Sequence, residues 1–190
     1  MPNILAFSGS IRRNSWNRKL IATAVDAARA AGGEVTLIDL ADYPLPLYDG
    51  DLEARDGLPD NAQRLKALFK SHDALLIASP EYNSSMPPLL KNTLDWISRE
   101  WQGESGLVPY QHKVAAIMGA SPGAFGGMRM MPHLRQVLNT LGVLVLPGQF
   151  SLPHADEAFD EAGTLKSPAR LHSLVMELVY ATAALDRARA

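Results

Sequence analysis

The segment Ser8-Gly9-Ser10-Ile11-Arg12-Arg13-Asn14-Ser15-Trp16-Asn17 gathers serine hydroxyls, two guanidinium groups and the start of a helical pattern. Hydroxyls, a fixed cation and the unpaired N–H groups of a helix's first turn are the donor set that a phosphate monoester takes. The positive end of the helix macrodipole falls at the same point. The spacing matches neither G-x-G-x-x-G nor G-x-x-x-x-G-K-[ST], so the dinucleotide fingerprint and the NTP-hydrolysing loop are both missing. A capped helix, with Ser15 or Asn14 at N-cap and solvated arginines, is the competing reading. Asp39 stands where a ribose-binding acid would sit, but without the preceding glycines it reads as a surface residue.

Two further segments carry chemistry. In Ser79-Pro80-Glu81-Tyr82-Asn83-Ser84-Ser85-Met86-Pro87-Pro88, Pro80 restricts the turn. Main-chain amides and the Asn83 amide can then meet the edge of a heterocycle; a helix entry capped by Ser84 or Ser85 is the other reading, and the two are compatible. Gly119-Ala120-Ser121-Pro122-Gly123-Ala124-Phe125-Gly126-Gly127-Met128-Arg129 is glycine-rich enough for backbone to approach a flat ligand closely. A bare flexible loop is the alternative there. The five histidines are dispersed without metal-ligand spacing, which assigns them to structure or surface. Asp49-Gly50-Asp51-Leu52-Glu53 hints at a calcium loop, but Ala54 occupies the position that needs glycine. No metal site is expected, and no catalytic triad is visible.

Elements of two periodicities must position these loops. Short apolar runs at 4–7, 35–38, 74–78, 114–118 and 143–146 read as strands. Stripes of helical spacing begin near Trp16, Ala62, Leu89, Met131 and Leu171. The proline-containing stretches 41–60 and 147–168 read as surface loops. Strands separated by helices imply right-handed βαβ units and an α/β doubly wound parallel sheet with helices on both faces. Ligands of such sheets bind beyond the carboxyl ends of the strands, where strand order reverses. The three loops leave the carboxyl ends of the first, third and fourth strands, and the fold predicts that they converge.

The 190 residues are 47% hydrophobic and 20% charged, with a net charge of -2. That balance is globular and argues against a nucleic-acid partner, which would need a basic surplus. The absence of cysteine removes thiolate nucleophiles, disulfides and iron–sulfur clusters. No apolar stretch reaches the ~20 residues of a membrane span, and the N-terminus has no basic leader pattern. Residues 1–190 are expected to form a single cytoplasmic domain.

Three patterns occur in order: G-S-x-R-x-x-S-x-N at Gly9–Asn17, P-E-Y-N-x-S-x-P-x-x-L-K-N-x-x-D-W at Pro80–Trp96, and S-P-G-x-x-G-G-x-R at Ser121–Arg129. Together they resemble the NAD(P)H-dependent FMN reductase family, the flavodoxin-like group that includes quinone, azo-dye and chromate reductases. The likeness covers roughly residues 3 to 145. It implies a five-stranded sheet in order 2-1-3-4-5, with one FMN per subunit and NADPH or NADH as hydride donor. By that resemblance Ser8, Ser10, Arg12, Ser15 and Asn17 hold the phosphate together with the Trp16 amide. Pro80, Glu81, Tyr82 and Asn83 line the flavin and ribityl, while Ser121, Gly123 and Gly126 border the ring.

Arg129 is expected at a subunit contact, and a helix start at Gly127 would stabilise charge on the reduced ring. Trp96, Trp101, Tyr110 and Met128 to Met131 are expected to supply apolar surface for a homodimer or homotetramer, with a core position as the equal alternative for Trp96. The implied chemistry is a ping-pong exchange at flavin N5 with no catalytic side chain. The acceptor would be a flavin, quinone, azo compound or metal oxyanion. A flavodoxin-like electron carrier that does not use NAD(P)H directly is the alternative, although such carriers dock through acidic surfaces and this chain is near neutral.

Overall fold

The computed structural model describes residues 1–189. Six strands carry the sheet: β1 (Asn3–Ser8), β2 (Glu34–Ile38), β3 (Ala74–Ala78), β4 (Val114–Ala120), β5 (Leu144–Val145) and β6 (Phe150–Leu152). Between and after them run α1 (Trp16–Ala30), α2 (Gly50–Asp56), α3 (Asp60–Lys70), α4 (Pro88–Ile97), α5 (Met130–Thr140), α6 (Ala155–Ala158) and α7 (Ala169–Arg187). The sheet is parallel in order β2-β1-β3-β4-β5, as the family resemblance implies, with β6 also paired to β4.

The alternation of side chains along β1 explains the two layers of helices. Ile4 and Ala6 join a core with Leu20, Ala24, Leu171 and Val175 of α1 and α7. Leu5 and Phe7 point the other way, into a core with Leu65, Phe69, Leu94 and Leu134 of α3, α4 and α5. Successive strand residues face opposite sides, so a strand that feeds both cores must be apolar throughout. That is why Ala-Leu-Leu-Ile-Ala in β3 is buried at every position.

Three local expectations need correction. The 41–60 stretch is not one loop, because it holds the 3-10 turn Leu40–Asp42 at its start and α2 further along. Asp49 caps α2 by accepting the Asp51 N–H at 2.8 Å, which accounts for the acidic cluster there without any cation. The fifth strand is also split. Its ladder register covers only Leu144 and Val145; beyond Pro147-Gly148, β6 resumes beside β4 from Met118 to Ala120. Proline lacks the N–H a ladder needs, and so the edge breaks at that point.

The third correction concerns the surface offered for self-association. Trp96, Tyr110, Met130 and Met131 are fully buried. The Trp96 indole N–H donates to the Pro46 carbonyl at 2.8 Å and the Tyr110 hydroxyl donates to the Leu94 carbonyl at 2.7 Å, so their polar ends are satisfied inside. Among the described residues no helix is long and apolar enough to cross a membrane.

Candidate functional site

The three loops do converge at the carboxyl end of the sheet. β1 extends into the first loop with Gly9 N–H donating to Ala78 O at 2.8 Å, and β3 extends into the second with Ser79 N–H donating to Met118 O at 2.9 Å. At Gly9 a Cβ would lie 2.8 Å from Ser79 Oγ, so close approach of the first two loops requires glycine there. Asn17, 2% exposed, ties the first loop to the third through both ends of its amide. Its Nδ2 donates to Ala120 O and its Oδ1 accepts from Ala120 N–H, each at 2.9 Å. One Nδ2 hydrogen remains uncommitted, so the expected phosphate contact is secondary to this brace.

The second and third loops are joined by charge. Glu81 accepts from the Arg129 backbone N–H at 3.0 Å and from its Nε at 2.6 Å, while the guanidinium lies over the Phe125 ring at 4.6 Å. Arg129 thus pairs within its own chain, and its side chain stays about half exposed. The Glu81 carboxylate faces Arg129, so any contact from residue 81 to a flavin is left to its backbone. The expected helix start at Gly127 lies instead at Met130, with Arg129 at N-cap.

Unpaired donors concentrate in these loops. Among the described residues, the N–H groups of Arg12, Arg13, Asn14, Trp16 and Asn17 have no acceptor in the chain. Ser15 stands at the N-cap of α1, yet its hydroxyl makes no capping bond. Ser10 is buried, and the Ser8 hydroxyl shapes the turn by accepting the Ser10 N–H at 3.2 Å. The Trp16 ring turns away to stack on Phe159 at 5.8 Å, so that only its amide faces the loop. Arg18 pairs with Asp39 at 2.6 Å, which makes Asp39 a partner for a cation and not a free surface acid. Arg12 and Arg13 are exposed and have no carboxylate partner among the described residues. Free first-turn N–H groups beside unpaired guanidinium groups are the donor set that an anion such as a phosphate monoester would take.

The second loop narrows into a two-residue turn. Tyr82 and Ser85 exchange backbone hydrogen bonds at 2.9 and 3.0 Å, with Asn83 and Ser84 between them at φ 49 and 65. Such a turn projects the Asn83 and Ser84 amides outward with no partner. In the third loop Gly126 adopts φ 55, and a Cβ there would meet Leu152 C and Pro153 N at 2.5 Å. Only glycine fits, and the N–H groups of Gly123, Ala124 and Gly127 have no backbone acceptor among the described residues.

The family model of the NADPH-dependent FMN reductases matches residues 2–157. The chain belongs to that family. An NAD(P)H-dependent FMN reductase of Pseudomonas aeruginosa is 39% identical over 163 residues, spanning 85% of this chain and 83% of that one. A quinone reductase of Escherichia coli K12 is 34% identical over 143 residues, 75% of this chain and 72% of the other. Among solved structures, the flavoenzyme NAD(P)H:(acceptor) oxidoreductase FerB of Paracoccus denitrificans superposes with a TM-score of 0.76 at 27% identity, covering 98% of both chains.

As a member of this family the reductase is an oxidoreductase with FMN as cofactor and NAD(P)H as hydride donor. Its donor set suits that group: an anion cradle at 10–17, free amides at 83–84 for a polar heterocycle edge, and glycine backbone at 123–127 for a flat face. Sequence reasoning missed His133. Its Nδ1 lies 2.8 Å from Ser85 Oγ, a contact between residues 48 positions apart that no local pattern announces.

Proposed function

We propose that the reductase carries two electrons from NAD(P)H to a small quinone-type acceptor in two half-reactions that share one open face of the site. FMN, when bound, supplies the ring that takes a hydride and releases it again, and the protein supplies placement and electrostatics. Ser10, Arg12, Ser15 and the free N–H groups of Arg12, Arg13, Asn14, Trp16 and Asn17 hold the phosphate. Pro80, Tyr82, Asn83 and the Glu81 backbone flank the ribityl and ring, while Ser121, Gly123 and Gly126 border the ring's far edge.

The observation that carries this reading is the joining of all three loops by residues of the chain itself. Asn17 fixes the first to the third, and the Glu81–Arg129 pair fixes the second to the third. A preformed mouth of this kind holds a ring without closing over it, so donor and acceptor can take turns. Tyr82, Phe125 and Met128 are each about half exposed around it and offer flat apolar contact to both. A 2-hydroxy-1,4-benzoquinone reductase of Burkholderia, 35% identical over 160 residues, supports a quinone as the acceptor class. The same exposed side chains favour a homodimer or homotetramer in which a second copy borders the mouth.

Stopped-flow absorbance tests the exchange. NADPH or NADH alone should bleach the FMN band, and a benzoquinone added afterwards should restore it. Steady-state double-reciprocal plots at several acceptor concentrations should be parallel. Failure of either nucleotide to bleach the band, with rapid reduction by a separate redox protein, would support the electron-carrier reading instead.

A further inference from the structure

Reduction of a quinone consumes a proton as well as a hydride: NAD(P)H, quinone and one proton give NAD(P)+ and hydroquinone. Apart from the Tyr82 phenol, most proton-bearing side chains near the mouth are already engaged. The Glu81 carboxylate is occupied by Arg129. Lys91 is held by Asp95 at 2.8 Å, and Arg135 donates to the carbonyls of Val145 and Leu146. His154 reaches the third loop through its backbone N–H to Gly123 O. His72 is bonded to Leu68 and Thr36, beside the amino ends of the strands.

His133 stands apart from these. It is exposed in the first turn of α5, with Nδ1 2.8 Å from the Oγ of Ser85, the residue that closes the turn at Asn83-Ser84. Both side chains border an open groove of about 520 Å³ walled by Met86, Pro88 and Val137, so the imidazole has direct access to water. Imidazole is the side chain suited to proton exchange near neutral pH, and a hydroxyl can relay a proton without holding charge.

We propose that Ser85 and His133 form the route by which the proton reaches a quinone acceptor, a role that rests on the acceptor reading above. His133 in its protonated form donates Nδ1–H to Ser85 Oγ, and Ser85 donates its O–H to the acceptor oxygen. When the hydride's electron pair arrives on the acceptor, the Ser85 O–H bond breaks and a new O–H bond forms on the acceptor oxygen. The His133 proton replaces the one that Ser85 gives up, and neutral His133 then takes a proton from water in the groove.

The test compares turnover with a benzoquinone and with ferricyanide, which accepts electrons without a proton, in Ser85→Ala, His133→Ala and His133→Gln enzymes loaded with FMN. The benzoquinone-to-ferricyanide ratio should fall roughly tenfold or more in all three. Glutamine can still bond Ser85 but carries no exchangeable charge, so a ratio restored by His133→Gln would reduce His133 to a positioning residue and overturn the proposal. FMN affinity, read by fluorescence, should stay within about twofold; a loss large enough to explain the ratio would also overturn it. A readout independent of turnover is the His133 imidazole NMR signal of oxidised holoenzyme on addition of hydroquinone. It should shift in the wild type and stay fixed in Ser85→Ala, and a fixed signal in the wild type contradicts the route. A wild-type enzyme that reduces other acceptors but no quinone would overturn the acceptor reading itself. An enzyme proficient with quinones and unchanged in ratio across the variants would overturn this proposal alone.

Discussion

Replacing Arg12 by alanine weakens FMN binding by about 1.5–3 kcal/mol, roughly ten- to a hundred-fold in Kd. The figure follows from what the side chain lacks. Arg12 is exposed and without a carboxylate partner among the described residues, so its charge is uncompensated until a phosphate arrives. A guanidinium facing a phosphate makes charge-assisted bonds about twice as strong as neutral ones. Arg18 serves as the control, because its guanidinium is already held by Asp39 at 2.6 Å, and its removal should leave the FMN affinity far less affected. Titrating apoprotein with FMN and following the quenching of flavin fluorescence measures both. Added salt should narrow the gap between wild type and Arg12→Ala, since screening weakens an exposed ion pair.

Asn17→Ala should be the more damaging change to the protein itself. Its amide satisfies both the N–H and the C=O of Ala120 at 2.9 Å, at a position only 2% exposed. Alanine leaves two buried backbone groups without partners, each at a cost of about 1–3 kcal/mol. Part of that is recovered where water enters the space the amide vacates, so a loss of about 2–4 kcal/mol in unfolding free energy is expected. Urea denaturation of the apoprotein reads it directly. FMN affinity should fall in the same variant, because the first and third loops are no longer locked together. A change in stability below about 0.5 kcal/mol would remove the brace from the account.

The strands and most helices were legible in the sequence because each has one dominant signal. Ala74–Ala78 has no polar residue and lies between two helical layers, and the stripe from Trp16 to Ala28 recurs at helical spacing before Gly32-Gly33 ends it. The convergence of the loops was legible too, since it follows from where loops leave a doubly wound sheet. Short elements were not. Phe150–Leu152 is three residues bounded by Gln149 and Pro153, too few for any period to show, and α2 has no buried residue to mark a stripe.

Side-chain partnerships were the least legible part. Nothing local in Glu81 says that Arg129, 48 positions on, will take its carboxylate, and nothing in Asn17 points to a backbone group 103 positions away. Trp96 shows the same limit from the other side. As the aromatic that ends the second motif it reads equally as rim or core, and only the packing against Leu58, Ala62 and Tyr48 decides for the core.

The most direct measurement is a paired titration of the apoprotein with riboflavin 5′-phosphate and with riboflavin, followed by flavin fluorescence. If the turn between Ser8 and Asn17 grips a phosphate, the phosphorylated form should bind at least a hundred-fold more tightly, on the order of 3 kcal/mol. Equal affinities for the two flavins, or no binding of either, would mean that these residues serve only to start a helix.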